Sequence, residues 1–547
     1  YYRKSFADLL HEQAVEARAR GVVLVTPPWN FPLAIPAGGI LAALMAGSRV
    51  LFKPALETAR TGALLASVLH RAGVPESALS LLICADEVAS SLVRDPRVTD
   101  VILTGATATA RLFQRLRPGL RLLAETGGKN AYLVSAMSDR ELAIRDAIHG
   151  AFGHAGQKCS ATSLLICERE VYDDVAFRST LKDAVESLPV GSAWDATSFV
   201  TPLIREPEQA LRRALTTLEP GESWLVEPRV DRDNPRLWRP GVKLGVRAKS
   251  FTHMTELFGP VLGVMRAESL AHAVELANAT GYGLTAGLAS LDEREQSYFV
   301  EQLRAGNLYV NRTTTGAIVR RQPFGGVGKS GFGPGAKAGG PNYVTQLCHL
   351  RERGPVAYRT DRPLPPAWES RAHALELALS PAAQTLLRAR VQSYLHAHQT
   401  HFALEHDPER LLGQHNRFRY RAVEGVVLRV EADAAPEDLA ASCIAAELVG
   451  TRLDVSVDPG FPWRLDASTL GFPLHLESVE ALVQRGASVT RVRVLGRRPR
   501  ALDRIQEEHG AHIADEPVLS LGRFELLHYV SEQSVSIEYH RYGNIAQ

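Results

Sequence analysis

Short apolar runs alternate with helical stretches through the first quarter of the chain. Residues 1–20 show apolar positions on one stripe and predict a helix. Because predicted strands and helices then alternate, the pattern favours a parallel, doubly wound α/β sheet, whose ligands bind at the carboxyl ends of the strands. The predicted strands are GVVLVT (21–26), RVLFKP (49–54), LSLLIC (79–84), VTDVILTG (98–105) and RLLAET (121–126).

Three further stretches follow this first unit. Residues 128–325 predict a second α/β unit, and residues 326–352 begin with a glycine-rich loop. The Pro-rich, charged segment 353–366 predicts a linker. Residues 367–547 then predict a third α/β unit with strand, helix, strand and strand in succession, so the domain boundaries are expected at 127, 325, 352 and 366.

Bulk composition narrows the class of protein without identifying it. With 547 residues the chain can hold two or three cores, and a net charge of +2 gives no field that favours nucleic acid or an anionic membrane. The five cysteines include no CxxC pair, which suits a reducing, cytoplasmic compartment. No apolar run approaches the ~18 residues of a membrane span.

Four segments carry candidate chemistry. Glu125 lies in AETGGKN, Cys159 ends GHAGQKC, Glu256 opens ELFGPV, and PPWNFPL lies upstream. Glu125 and Cys159 are 34 positions apart, and Cys159 and Glu256 are 97 apart. A cysteine can supply a thiolate nucleophile, and a carboxylate can act as a general base. The other cysteines, in apolar strand or helix patterns, are interpreted as buried core residues.

In order and spacing these segments resemble the NAD(P)-dependent aldehyde dehydrogenase superfamily. The resemblance implies a Rossmann-like cofactor domain over 1–127, a catalytic domain over 128–325 and a return to the cofactor domain over 326–352. It also implies that Cys159 is the nucleophile and Glu125 the base. The Asn30 side chain and the Cys159 N–H would bind the oxygen that becomes negative when the aldehyde is attacked.

The same resemblance implies NAD as cofactor and no metal. The residues that it assigns to NAD are Trp29, Lys53, Gly105, Glu256 and Phe258. Three positions depart from the common pattern: Leu56 replaces a frequent Glu, Ala106 a usual Ser and Thr126 a usual Leu. The first two bear on cofactor affinity and on the choice between NAD and NADP.

The segment NRTTTGAIVRRQPFGG narrows the resemblance to L-glutamate γ-semialdehyde dehydrogenases of proline catabolism. In that group backbone N–H groups of a TGA-like turn bind the substrate carboxylate, and successive N–H groups at a glycine turn do form an anion site. The substrate residues implied here are Ser160, Gly316, Ala317, Phe31 and Phe324.

The KAGGP segment at 337–341 and the C-terminal tail further resemble bifunctional proline utilization A proteins. This implies an upstream proline dehydrogenase domain of the same polypeptide, with FAD only in that domain, a homo-oligomer, and a structural C-terminal domain. The start of the chain, without an initiator Met, suggests a fragment that is either trimmed or the tail of a longer polypeptide. The alternating residues 535–545 predict a strand added to the edge of another sheet.

Two alternatives remain open at this point. The first is an aldehyde dehydrogenase that acts on a different aldehyde. The second is a non-catalytic assembly fragment, which the departures at Leu56 and Ala106 would allow. Activity on a panel of aldehydes distinguishes the first alternative from a glutamate semialdehyde dehydrogenase. A measurement of NAD binding distinguishes the second alternative from an active enzyme.

Overall fold

The computed structural model describes residues 1–12, 15–354, 369, 372–375, 379–463, 467–486 and 489–540. Most of the predicted linker and the last residues of the tail lie outside these ranges. The described residues form two compact units: one contains 1–124, 332–405 and 419–532, and the other contains 125–331, 406–418 and the chain from 533 onward. No helix in these ranges is long and apolar enough to cross a bilayer.

The first unit begins with a parallel sheet that we call the first sheet. Its five main strands lie in the order Arg121–Glu125, Val98–Thr104, Val22–Thr26, Arg49–Phe52 and Leu79–Leu81, with Gly331–Phe332 flanking Arg121–Glu125. In chain order this is 5-4-1-2-3, the arrangement of doubly wound nucleotide-binding sheets. The strand sequences are apolar because helices cover both faces, and two buried clusters form there.

The first unit contains another parallel sheet, which we call the third sheet because it begins last along the chain. Its strand order is the same as that of the first sheet. Its strands are Leu474–Leu476, Leu453–Val457, Val426–Val430, Arg491–Leu495 and His512–Ala514. The α-helices of this unit are Tyr2–Glu12, Ala34–Met45, Ala59–Arg71, Asp86–Arg94, Thr107–Leu116, Pro381–Ala397, Pro436–Leu448, Ala467–Leu470, Val479–Arg485, Asp503–His509 and Gly522–Glu525.

The second unit is built on a nine-stranded sheet, the second sheet. Its order is Gln414–Ala422, Val530–Glu538, Asn307–Val310, Thr285–Ala289, Asn130–Val134, Thr162–Glu168, Val261–Ala267, Gly241–Leu244 and Ser223–Val226. The α-helices are Arg140–Phe152, Arg169–Tyr172, Val175–Glu186, Gln209–Thr216, Phe251–Met254, Leu270–Asn278 and Glu293–Gln302. Buried clusters on its faces hold this sheet against its helices.

The strand Val530–Glu538, which we call the C-terminal strand, lies inside the second sheet. It runs parallel to Asn307–Val310, with Ser534 opposite Asn307 and Ile537 opposite Val310. The sequence predicts that the tail over 535–545 adds to the edge of a sheet. In the structure the strand begins at Val530, ends at Glu538 and lies between Asn307–Val310 and Gln414–Ala422, so it is not the edge strand.

The helix predicted over residues 1–20 is wrong in its second half. The helix ends at Glu12, and Val15–Ala19 is a strand that pairs antiparallel with Cys348–Glu352. The partner lies more than 300 positions away, so the local apolar stripe could not report it. Two pairs of two-residue strands belong to the second unit: Arg229–Val230 with Trp238–Arg239, and Tyr282–Gly283 with Val327–Gly328.

Candidate active site

The two glycines after Glu125 are required by what lies against them. A Cβ at Gly127 would lie 2.0 Å from a carboxylate oxygen of Glu256, and one at Gly128 would lie 2.4 Å from Oδ1 of Asn130. The N–H of Gly128 donates to Oε1 of Glu256 at 2.9 Å. The glycine pair therefore lets Glu256 approach the backbone directly after Glu125, and it links two segments that the sequence motifs place far apart.

The segment before Cys159 has an unusual backbone. His154 and Ala155 have φ of 61° and 52°, in the left-handed region that side chains with a Cβ seldom adopt, and Gly156 follows at 68°. A Cβ at Gly156 would lie 2.3 Å from the carbonyl oxygen of Gly259. Strained backbone of this kind persists where the surrounding structure holds it, often at functional sites. The glycine contact brings the ELFG segment against the segment that carries the thiol.

Asn130, the first residue of its strand, fixes the position of Cys159. Its side-chain amide donates to the carbonyl oxygen of Cys159 at 2.7 Å and to that of Ala161 at 2.9 Å. Its Oδ1 accepts the N–H of Thr285 at 3.1 Å. One buried amide thus ties the thiol-bearing loop to two neighbouring strands of the second sheet.

The thiol of Cys159 lies in a field of negative charge. Burial, and after it the charges of Glu125 and Glu256, raise its pKa to about 12, while the N–H groups of Ser160 and Cys159 act in the opposite direction. At neutral pH the thiol is therefore protonated in this structure. The charge of Glu125 acts on the thiol, so the predicted base and the predicted nucleophile lie in the same electrostatic environment.

Two buried ionisable side chains, Glu256 and Lys129, influence each other electrostatically, and Glu256 also influences the thiol. Burial raises the pKa of Glu256 to about 7, against the Gly128 N–H and the charge of Lys129, which lower it. Burial lowers the pKa of Lys129 to about 7, and the charge of Glu256 raises it. The Lys129 ammonium donates to Oγ of Ser163 at 2.6 Å. Lys129 belongs to the AETGGKN motif, although its position in the motif does not predict these contacts.

The predicted substrate turn is attached to the same loop. Oγ1 of Thr314 donates to the carbonyl oxygen of Ser160 at 2.9 Å, and it also shares a 2.9 Å hydrogen bond with Oγ1 of Thr162. Gly316 then has φ of 85°, which only glycine adopts readily. Among the described residues nothing accepts a hydrogen bond from the N–H of Gly316 or Ala317, and both residues are exposed.

The predicted residues divide between the two units. Those in the second unit are Glu125, Cys159, Ser160, Glu256, Phe258, Gly316, Ala317 and Phe324, and the contacts above bring most of them to one end of the second sheet. Phe258 has φ of 53°, another non-glycine residue in the left-handed region. Those in the first unit are Trp29, Asn30, Phe31, Lys53 and Gly105.

Within the first unit the cofactor candidates lie after strands of the first sheet. Lys53 follows Arg49–Phe52, is 9% exposed, and pairs through its ammonium with Asp86 at 2.9 Å. The helix Thr107–Leu116 begins after Ala106, which offers no side-chain cap, so backbone N–H groups are available to a pyrophosphate. Leu56 is 52% exposed. This donor set, one buried cation and one uncapped helix start, fits a dinucleotide phosphate and ribose.

The sequence matches the aldehyde dehydrogenase family over residues 6–352, and the chain belongs to that family. It is 38% identical over 356 residues to the bifunctional protein PutA of Klebsiella aerogenes, covering 62% of this chain and 27% of that protein. It is 37% identical over 375 residues to the 1-pyrroline-5-carboxylate dehydrogenase of a Geobacillus strain, covering 64% of this chain and 71% of that enzyme.

Solved structures show the same relationship. Proline utilization A from Corynebacterium freiburgense superposes with a TM-score of 0.87 at 39% identity and covers 100% of this chain and 53% of its own. The 1-pyrroline-5-carboxylate dehydrogenase from Thermus with bound NAD gives 0.58 at 31% identity, covering 62% and 66%. The fold is therefore the aldehyde dehydrogenase fold followed by a C-terminal α/β region, and the chain spans about half of the first of these structures.

Proposed function

We propose that this chain oxidises L-glutamate γ-semialdehyde to L-glutamate with NAD, through a thiohemiacetal and a thioester on Cys159. The observation that carries the proposal is the Gly316–Ala317 turn. Its two N–H groups have no acceptor among the described residues, and Thr314 ties it to the carbonyl oxygen of Ser160, next to the thiol. The names of the relatives, 1-pyrroline-5-carboxylate dehydrogenase and PutA, support the same substrate.

The turn would bind the α-carboxylate of the substrate. Two backbone donors at a glycine with positive φ form a concave anion site whose donors need no rearrangement on binding. Hydrogen bonds to a charged group each contribute ~1.5–3 kcal/mol. Ser160 and the rings of Phe31 and Phe324 keep their predicted roles along the substrate chain.

Cys159 would attack the aldehyde carbon. The thiolate is the nucleophile, and burial together with the charges of Glu125 and Glu256 raises the pKa of the thiol to about 12, so the thiol needs a base to remove its proton. Glu125 would be that base. As the C–S bond forms, the aldehyde oxygen becomes negative, and the Cys159 N–H and the predicted Asn30 amide would stabilise it. NAD, when bound, accepts the hydride that leaves the substrate carbon.

Deacylation would use Glu125 again. A carboxylate at this position can take a proton from water, which then attacks the thioester and releases glutamate. Glu256 and Lys53 would hold the two riboses of NAD, and the start of the helix Thr107–Leu116 would hold the pyrophosphate.

The wider setting belongs to the proposal as well. We propose that the chain supplies the second step of proline catabolism, with a FAD-dependent proline dehydrogenase domain upstream in the same polypeptide and with assembly into a homo-oligomer. Support comes from the relatives named PutA, of which this chain spans 27% in the Klebsiella aerogenes protein and 53% in the Corynebacterium freiburgense structure.

The test measures NADH formation from glutamate semialdehyde and from pentanal, an aldehyde of the same length without a carboxylate. We expect kcat/KM to be roughly 10- to 150-fold higher for the semialdehyde, since one charge-assisted hydrogen bond accounts for that factor. Equal values would show a general aldehyde dehydrogenase. No turnover of either, with no NAD binding by calorimetry, would leave the non-catalytic alternative.

A further inference from the structure

The last third of the chain reaches the predicted substrate turn at two places. Arg320 pairs with Glu409 at 2.7 Å where both side chains are partly exposed, and the buried side chain of Gln322 makes the second connection. Oε1 of Gln322 accepts the N–H of Ile318 at 3.0 Å, and the N–H of Gln322 donates to the carbonyl oxygen of Ile318 at 2.8 Å. Gln322 therefore closes the backbone immediately after Gly316 and Ala317. Its own side chain is 2% exposed, whereas the turn residues 316–320 are exposed.

Asn416 and Ser536, both in the last third of the chain, bind the other end of the Gln322 side-chain amide. Nε2 of Gln322 donates to Oδ1 of Asn416 and, at 3.3 Å, to Oγ of Ser536 in the C-terminal strand. The Ser536 hydroxyl donates in turn to Oδ1 of Asn416 at 2.9 Å and accepts from the guanidinium of Arg312 at 2.9 Å. Arg312 lies at the other end of the turn, so Ser536 contacts both of its flanks.

The cluster of Gln322, Asn416 and Ser536 is closed to solvent, and each side-chain nitrogen and oxygen atom of the three residues has a hydrogen-bond partner. Asn416 and Ser536 are both 0% exposed. Asn416 makes two further hydrogen bonds: Nδ2 donates to Oε1 of Gln414 at 3.0 Å, and its backbone N–H donates to Oδ2 of Asp407 at 2.9 Å. A fully satisfied buried network fixes each member in one orientation. Removing one hydroxyl or amide therefore leaves Gln322 free to adopt other rotamers.

The turn needs such support. Its residues are exposed, it contains a glycine, and Arg320 also has a positive φ of 72°. A site made of two backbone N–H groups works only if both point to the same place, because an error of about an ångström or a few tens of degrees weakens a hydrogen bond steeply. Thr314 fixes the turn to the thiol loop on one side, and the cluster fixes it on the other.

We propose that Asn416 and Ser536 are positioning residues that set the preference for an aldehyde bearing a carboxylate, by holding Gln322 and through it the Gly316–Ala317 turn. This rests on the proposed function, since it assigns the turn to the substrate carboxylate. It gives the C-terminal strand a part in selectivity, although neither Asn416 nor Ser536 would touch the substrate.

The test compares Asn416→Ala, Ser536→Ala and Gln322→Ala in the full chain. The matched control is Ser531→Ala. It removes a hydroxyl from the same strand which, within the described ranges, donates to the carbonyl oxygen of Arg421 at 3.5 Å and to no member of the cluster. The readout is the ratio of kcat/KM for glutamate semialdehyde to kcat/KM for pentanal, with thermal unfolding of each variant measured alongside.

We expect the ratio to fall at least tenfold in all three variants, mainly through a higher KM for the semialdehyde, and to stay at the wild-type value in Ser531→Ala. Because the residues act through one amide, Asn416→Ala combined with Ser536→Ala is expected to lose little more than either alone. A wild-type ratio in the folded variants would overturn the inference, as would an equal loss for both aldehydes, which indicates general damage.

The outcomes separate this inference from the proposed function. A wild-type chain with no preference for the semialdehyde would overturn both. If the wild-type chain prefers the semialdehyde and the three variants keep that preference, only the inference would be overturned. Since Ser536→Ala changes one oxygen atom, it is expected to fold, and Asn416→Ala supplies the same answer independently.

Discussion

The first and third sheets have the same strand order but differ in what lies at the carboxyl ends of their strands. In the first sheet these ends carry Lys53, Gly105 and the segment leading to Asn30. In the third sheet a buried arginine, Arg429, closes them: it donates to Glu431 at 2.7 Å and to Asp458 at 3.1 Å.

Further contacts of the third sheet reinforce this closure. Arg429 also donates to the carbonyl oxygen of Glu477 at 2.8 Å, so it connects three successive strand ends. At the fourth strand the missing Cβ of Gly496 would lie 2.4 Å from Oδ1 of Asp433. Removing one partner of a buried ion pair typically lowers the free energy of unfolding by ~3–5 kcal/mol. These charged side chains therefore stabilise the strand ends of the third sheet. A shared topology therefore does not provide a site; the residues at the strand ends do.

The largest effect expected from this comparison concerns two cysteines. Cys159→Ala should lower aldehyde oxidation by roughly 10⁴-fold or more, because no other group replaces the nucleophile. Cys443→Ala, in the buried helix Pro436–Leu448 beside the third sheet, should lower only the free energy of unfolding, by about 1 kcal/mol. Steady-state kinetics and chemical denaturation measure the two. An active Cys159→Ala variant would refute the assignment of the nucleophile.

A second prediction follows from the pKa of the Cys159 thiol, which burial raises to about 12. Without cofactor, its alkylation by iodoacetamide should rise about tenfold per pH unit from pH 7 to 9 with no plateau, because only the thiolate reacts. Mass mapping of the modified peptide, in a Cys84→Ala background to remove a half-buried competitor, follows the rate. A plateau near pH 8 would contradict the environment described here.

The smallest effect separates the cofactor ends of the two sheets. Lys53→Ala should weaken NAD binding about tenfold or more, since a charged hydrogen bond of ~1.5–3 kcal/mol is lost. Asp433→Ala, at a strand end of the third sheet, should leave the affinity unchanged. Calorimetry should give one NAD per chain in both variants. Weaker binding in Asp433→Ala, or two sites in the wild type, would mean that the third sheet also binds the dinucleotide.

The sequence predicted the chemistry-bearing residues better than it predicted their supports. Glu125, Cys159 and Glu256 each lie in a short local motif that can be recognised in the sequence. The glycine pair Gly127–Gly128 is part of one of these motifs, and the structure shows that Glu256 lies against it. The strands of the first sheet and its doubly wound class follow from the alternation of apolar runs with helical stretches. The roles of these residues stay predictions, but their motifs were visible without coordinates.

The supports were missed because they depend on residues far apart in sequence. Nothing near Ser536 or Asn416 indicates that they meet Gln322, which is more than 90 positions from either. Val15–Ala19 looked helical because its strand partner lies at Cys348–Glu352. The boundary predicted at residue 366 likewise stays a prediction; in the structure, residues 406–418 and the C-terminal strand belong largely to the compact unit that holds Cys159.

The central claim is that the chain has one reactive centre, at Cys159, which turns over with Glu125 as base. The most direct measurement is the intact mass of Glu125→Gln after addition of NAD and glutamate semialdehyde, followed by peptide mapping. Acylation should be slower in this variant because the thiol also loses its base, but deacylation stops. After prolonged incubation we therefore predict one substrate-derived acyl group per chain, on Cys159, with one NADH formed per chain and no further turnover. No adduct, an adduct on another residue, or two adducts per chain would contradict the account.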